Sequence, residues 1–277
     1  MIKLLLLLSL VASAGNAANS FLGILENRNR DEGLSFVVRA VFKKVDKEWK
    51  IGMPPSSKTE WSVTSDGETI GSVETSEYKT DGKLSSEGLL KVDTPVEETP
   101  QAGVLSEEFG TWTDLKVKRP FVLTKGKFKG DPEQWKKAKP STELTESVVS
   151  EFKKKFKDAY KCKNPDSKFE KWDYAHSDVK IERSYKSNKD IWLIRAHLKE
   201  SNCDGPPPDY FTSVWYLIDS KGSISLLNTG SILVDAGDYD GDGSSELIFQ
   251  IQRYNRGGYI IYWDNLKKNT EFTFSYH

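Results

Sequence analysis

Histidine, methionine and cysteine are scarce in this 277-residue chain, at 3, 2 and 2. Three histidines give little basis for an imidazole-built metal centre, and neither His-Glu-x-x-His nor Cys-x-x-Cys occurs. A Gly-x-Ser-x-Gly elbow and a glycine-rich phosphate loop are missing as well. Charge of one sign is also lacking, with 40 Lys+Arg against 41 Asp+Glu and a net charge of -1. A general nucleic-acid binder needs a basic excess to displace phosphate counterions, so that class is excluded. No long apolar run is present either. Leu4–Ala12 is nearly all apolar, but a bilayer span needs roughly 20 such residues. What remains is 37% hydrophobic and 12% aromatic residues, with 8 Trp and 11 Tyr. That is enough to bury a core, which argues against disorder throughout.

The apolar run follows the single charge of Lys3 and precedes two small-x-small sites, Ala12-Ser13-Ala14 and Gly15-Asn16-Ala17. This is the layout of a secretory signal over residues 1–17. The expectation is a mature chain from near Ala18, periplasmic or secreted, with no membrane span after cleavage. In an oxidising compartment the two cysteines, Cys162 and Cys203, read first as a disulfide. Such a bridge is worth about 3–4 kcal/mol in the chain-entropy view. Two separately buried thiols are the alternative.

The patterning predicts a mainly β fold of antiparallel four-stranded meanders, as a propeller-like stack or an irregular β-sandwich, with one amphipathic helix near 142–160. An N-terminal β region is expected over 18–130, a helical connector over 131–170 and a C-terminal β region over 171–277. Phe36, Val38, Ala40 and Phe42 alternate, and Trp49 and Ile51 suggest a returning strand. Asp66-Gly67 and Asp81-Gly82 are hairpin signals. Leu144, Val148, Phe152 and Phe156 recur every four residues behind Ser141, a candidate cap. Two runs of four strands follow, from Val179 to Leu227 and from Ile232 to Tyr276, of the size of propeller blades. Ser35–Thr75 offers a third.

The sharpest feature is the segment Gly237–Glu246, with carboxylates at loop positions 1, 3, 5 and 9: Asp238, Asp240, Asp242 and Glu246. Calcium takes 6–8 oxygen ligands, and acids at alternate positions wrap inward on one centre. Gly243 permits the sharp turn, and Ser244 can offer its carbonyl. An EF-hand would place its bidentate Glu at Phe249 and would need flanking helices, so it does not fit. The spacing resembles the calcium loops of FG-GAP/VCBS-type repeats, which occur in integrin α-chain propellers and in exported bacterial proteins. The resemblance covers about Ser231–Tyr276. It implies a Ca2+ held by Asp238, Asp240, Asp242, Ser244 and Glu246, in a loop joining two blade strands. Within Ser231–Tyr276 the Phe-Gly and Gly-Ala-Pro signatures of that repeat are absent, and one loop stands where the family has several.

A second candidate is the hairpin from Arg253 to Tyr259, where Arg253, Tyr254, Arg256 and Tyr259, with Trp263 nearby, suit stacking and forked hydrogen bonds to a carbohydrate or a carboxylate. An exposed turn with strand aromatics beside it is the plainer reading. His176 and Asp178 are the only near acid–base pair, at a spacing typical of a turn into a strand. The chain therefore reads as an exported, calcium-stabilised binding or adhesion-like module without enzymatic activity. Its partner would be a protein or a carbohydrate. The rival is a secreted, glycan-active hydrolase using a carboxylate pair on a β-scaffold.

Overall fold

Apolar residues line both faces of several N-terminal strands, and the topology explains why. The computed structural model describes residues 20–30, 33–52, 58–77, 89–100, 119–157, 159–161, 170–198, 213–253 and 256–275. Residues 1–17, Cys162, Cys203, Trp112 and Asp81-Gly82 all lie outside the described residues. Strands β1 (Phe21–Arg30), β2 (Gly33–Val45), β3 (Glu48–Ile51), β4 (Thr59–Ser65), β5 (Glu68–Glu77), β6 (Leu89–Val92) and β7 (Phe121–Lys125) form one antiparallel sheet. Its order is β1-β7-β4-β5-β6-β2-β3, and β1 also pairs with β2. Six strands thus close into a barrel with no free edge, and β3 extends from β2. Phe21, Leu25, Phe36, Val38, Trp61, Val63, Val73, Leu90 and Leu123 fill it. Asp66 and Gly67 turn β4 into β5 with φ of 53° and 78°, the geometry expected of Asp-Gly.

The region offered as a third meander is therefore barrel wall. Strand β1, unmarked in the sequence reading, pairs on either side with β2 and β7 and closes it. The alternation along β2 also breaks. Its register with β1 shifts between Leu22 and Gly23, opposite Phe42 and Ala40. Such a bulge moves the next side chains to the other face. Phe36 and Val38 consequently point inward, while Phe42 joins Leu22, Ile24 and Val122 on the outer wall.

From Val179 on, the strands fall close to those predicted, whereas three short strands between Lys136 and Lys171 were not expected. Strand β8 (Lys136–Lys137) precedes helix α1 (Thr142–Lys155), and β9 (Tyr160–Lys161) pairs with β10 (Glu170–Lys171). Strands β11 (Val179–Lys186), β12 (Trp192–Leu198), β13 (Ser213–Ile218) and β14 (Ile224–Thr229) form the first meander, with β8 on its edge. Strands β15 (Ser231–Gly237), β16 (Glu246–Arg253), β17 (Arg256–Trp263) and β18 (Lys268–Ser275) form the second. Ser141 caps α1 by accepting the Leu144 N–H at 3.2 Å. The helix ends a turn earlier than predicted. The Tyr174 hydroxyl donates to the Phe156 carbonyl at 2.8 Å, which satisfies the helix end and leads Tyr160 into β9.

The layers stack in sequence. Val148, Val149 and Phe152 of α1 pack on Ile194, Ala196 and Leu198 of the first meander. Its opposite face, with Leu193 and Trp215, meets Leu247, Phe249, Ile251 and Tyr262 of the second. The second meander turns Val234, Ile248, Tyr259, Ile261 and Trp263 onto Leu22, Ile24, Phe42, Trp49 and Val122 of the barrel. Each fully buried apolar side chain contributes about 1.5–3 kcal/mol, so this seam is a core in its own right.

Candidate metal centre

The acidic loop connects β15 to β16, with Gly237 and Glu246 paired across its base. Gly241 (φ 77°) and Gly243 (φ 92°) take left-handed conformations that other residues adopt only with strain. The first acid organises the turn. Asp238 accepts the Gly241 N–H at 2.7 Å and the Asp242 N–H at 3.0 Å on Oδ1, and the Gly243 N–H at 3.0 Å on Oδ2. Its own N–H donates to the Gly130 carbonyl at 2.7 Å, and its carbonyl accepts the Lys129 N–H at 3.1 Å. The loop is therefore pinned to the chain that leaves the barrel.

Three of the four expected carboxylates converge. Carboxylate oxygens of Asp238, Asp240 and Glu246 lie within 4.8 Å of one another. Asp242 is exposed, accepts the Ser244 N–H at 2.8 Å on Oδ1 and lies outside this group of three. Ser244, expected to offer its carbonyl, follows at the next loop position but one and turns its N–H to Asp242. Glu246 accepts the Tyr239 N–H at 2.9 Å and the Trp49 indole N–H at 3.2 Å. Lys44 pairs with Asp240 Oδ2.

The electrostatics are strained. Asp238 and Glu246 are only 1% and 2% exposed, and no Lys or Arg pairs with either among the described residues. Burial, reinforced by Asp240, pushes Glu246 up to about 8, against the Tyr239 N–H, Trp49 and Lys44. Burial also raises Asp238, opposed by the Gly243 and Gly241 amides. A hard, oxygen-only donor set whose acids resist ionisation alone fits calcium or magnesium and not a soft metal. Below the loop, buried Asp235 accepts the Tyr239 hydroxyl at 3.1 Å and the Asp66 N–H at 3.0 Å.

Several of these partners carry no signal in the local sequence. Trp49 lies 197 positions from Glu246, and Lys44 sits across the β2–β3 hairpin from Trp49. Asp131, which accepts the Ser245 hydroxyl at 2.6 Å, comes from the segment after the barrel. Only the pairing of barrel with second meander assembles them.

The hairpin candidates do not share a surface. Arg256 is exposed, whereas Tyr259 is fully buried and Trp263 is 7% exposed, both on the barrel-facing side of β17. Tyr259 donates its hydroxyl to Glu26 at 2.9 Å. Tyr254 lies outside the described residues, and Arg253 ends β16. His176–Asp178 is a 3-10 turn leading into β11, with Asp178 accepting the Ala175 N–H at 2.7 Å. Trp215 is wholly buried, and Trp135, Trp172 and Trp192 pack against the cores.

Two clefts open among the described residues. One, of about 470 Å³ on the barrel wall, is lined by Glu60, Glu74, Asp93 and Glu98. All four acids are exposed, whereas a glycosidase acid needs a partner environment that holds its proton. The other, of about 830 Å³, lies between β8, α1 and β11, with Ile181, Tyr185 and Pro140 in its lining and Lys137, Lys139 and Arg183 as its cations. Its Glu182 is already paired with Arg195 at 3.1 Å.

Fold and site together define a mainly β chain carrying an acidic, oxygen-only cluster at the joint between a barrel and a four-stranded meander. Comparison with protein-family models, with curated proteins and with solved structures finds no match.

Proposed function

We propose that the chain is an exported, non-enzymatic binding module whose Asp238–Glu246 loop holds a structural Ca2+ in the manner of an FG-GAP/VCBS repeat. The observation that carries this reading is the convergence of Asp238, Asp240 and Glu246 within 4.8 Å, two of them almost fully buried. A divalent cation supplies the positive charge that Asp238 and Glu246 otherwise lack among the described residues. Its effect would be mechanical, because Glu246 touches Trp49 of the barrel and Asp238 touches Gly130. The ion would tie the second meander to the barrel. The N-terminal signal pattern supports export. The cation-rimmed cleft beside α1 supports an anionic ligand, protein or carbohydrate.

The test is calcium titration calorimetry with thermal melts in calcium and in EDTA. Uptake of one ion and a higher melting temperature are expected, both abolished in an Asp238→Asn, Glu246→Gln double variant. At calcium 100-fold above Kd the linkage gain is about 2.7 kcal/mol. No uptake at millimolar metal would remove the reading.

A further inference from the structure

Lys44 reaches the acidic loop from the far side of the seam. Its position is fixed by β2, where its N–H donates to the Ser20 carbonyl at 2.8 Å and its Cα faces that of Trp49. The ammonium pairs with Asp240 Oδ2. It also lies 5.1 Å from the Trp49 ring centroid and 4.9 Å from that of Trp263. A carboxylate and two indole faces form a cation site, and the occupant is tethered to the chain. The Lys44 side chain is 15% exposed and that of Asp240 6%, so the pair is largely desolvated.

We propose that Lys44 is a built-in competitor of the metal, and that calcium entry drives its ammonium off Asp240. This rests on the calcium reading of the loop. Asp240 Oδ1 already accepts the Asp242 N–H at 3.0 Å, which leaves Oδ2 as the oxygen that both cations claim. Calcium binds carboxylate oxygen at about 2.4 Å. An ion among the three carboxylates would therefore sit close to the lysine, and like charges repel strongly where water is scarce. The other cation at the loop, Lys129, is engaged with the Gly241 carbonyl at 3.1 Å and claims no carboxylate of the cluster. Lysine can leave by rotating its four-carbon stem, with no backbone movement. The exchange would make this a weak calcium site, loaded at high calcium and closed by its own lysine at low calcium.

Calorimetry with calcium chloride on wild type, Lys44→Met and Lys44→Gln reads the competition directly. Both variants are expected to bind calcium at least tenfold more tightly than wild type. Unchanged or weaker affinity in folded variants, as judged by circular dichroism, would overturn the proposal while leaving the calcium reading intact. Absence of uptake by wild type at millimolar calcium would overturn both. A measurement on wild type covers the case where neither variant folds. Amine acylation of Lys44, read by mass spectrometry, should rise severalfold when calcium is added; labelling that stays level or falls would refute the displacement.

Discussion

Arg39→Met is expected to cost about 3–5 kcal/mol of unfolding free energy, a large share of the roughly 5–15 kcal/mol that holds a domain folded. Arg39 and Glu26 face the second meander from the outer wall of the barrel, 2% and 1% exposed. The guanidinium donates Nε to Glu26 Oε1 at 2.9 Å and Nη2 to Oε2 at 3.2 Å, and it lies 4.0 Å from the Phe274 ring centroid. Tyr259 supplies a further donor to Oε1. Removing the guanidinium leaves a carboxylate in an apolar seam with a phenol as its remaining described partner, and an uncompensated buried charge is the expensive outcome. Removing both charges is different. The Glu26→Leu, Arg39→Met double variant fills the same space with apolar atoms and should recover most of the loss. The assay is urea unfolding followed by circular dichroism, comparing midpoints at equal slope. Equal losses in the single and double variants would refute the reasoning, since the cost would then lie in packing against Phe274 and not in the stranded carboxylate.

Two further outcomes follow from single residues. Burial pushes Asp235 up to about 6, against the pull of Arg119, from an ordinary value of 3.8. The folded chain then holds the extra proton between those values, so this residue's contribution to stability falls as pH rises from about 4 to 6, by about 3 kcal/mol. Asp235→Asn should remove that part of the slope; denaturation curves at pH 4 and 7 showing the same slope in both proteins would contradict it. Ser141→Ala removes the acceptor for the Leu144 N–H and should cost about 1 kcal/mol, with Ser141→Asp close to wild type in the same melts.

The C-terminal meanders were legible because β12 alternates and the apolar runs Leu247–Ile251 and Tyr259–Trp263 are short and bounded by turn residues. In β12, Trp192, Ile194, Ala196 and Leu198 were expected on one face, and that face packs on α1. The barrel was not legible. Strand β1 carries apolar residues on both faces, because Phe21 and Leu25 fill the barrel while Leu22 and Ile24 serve the seam. Periodicity cannot separate such a strand from a buried helical stretch. The acidic loop was legible as a spacing, and three of its four expected carboxylates converge. The outward position of Asp242 was not legible, because nothing in the spacing distinguishes a carboxylate in the converging group from an exposed one. Lys44 and Trp49 escaped because a cross-seam contact leaves no mark on local sequence.

The barrel's outer wall explains why that seam carries charge at all. Leu22, Ile24, Phe42 and Val122 would form an exposed apolar patch if β15–β18 did not cover them. Apolar contact alone fixes such a pairing poorly, since a sheet can slide on a smooth face with little loss. Along β17 the side chains facing the barrel are Tyr259, Ile261 and Trp263. Tyr259 engages the Glu26–Arg39 pair, and Trp263 stacks over the lysine that holds Asp240. An apolar middle thus sits between two ionic anchors. Sliding by one strand position would strand Glu26 and Glu246 together, each nearly dry. The acidic loop therefore belongs to the device that sets the register of meander on barrel, and a cation there would act on the joint between them more than on the loop itself.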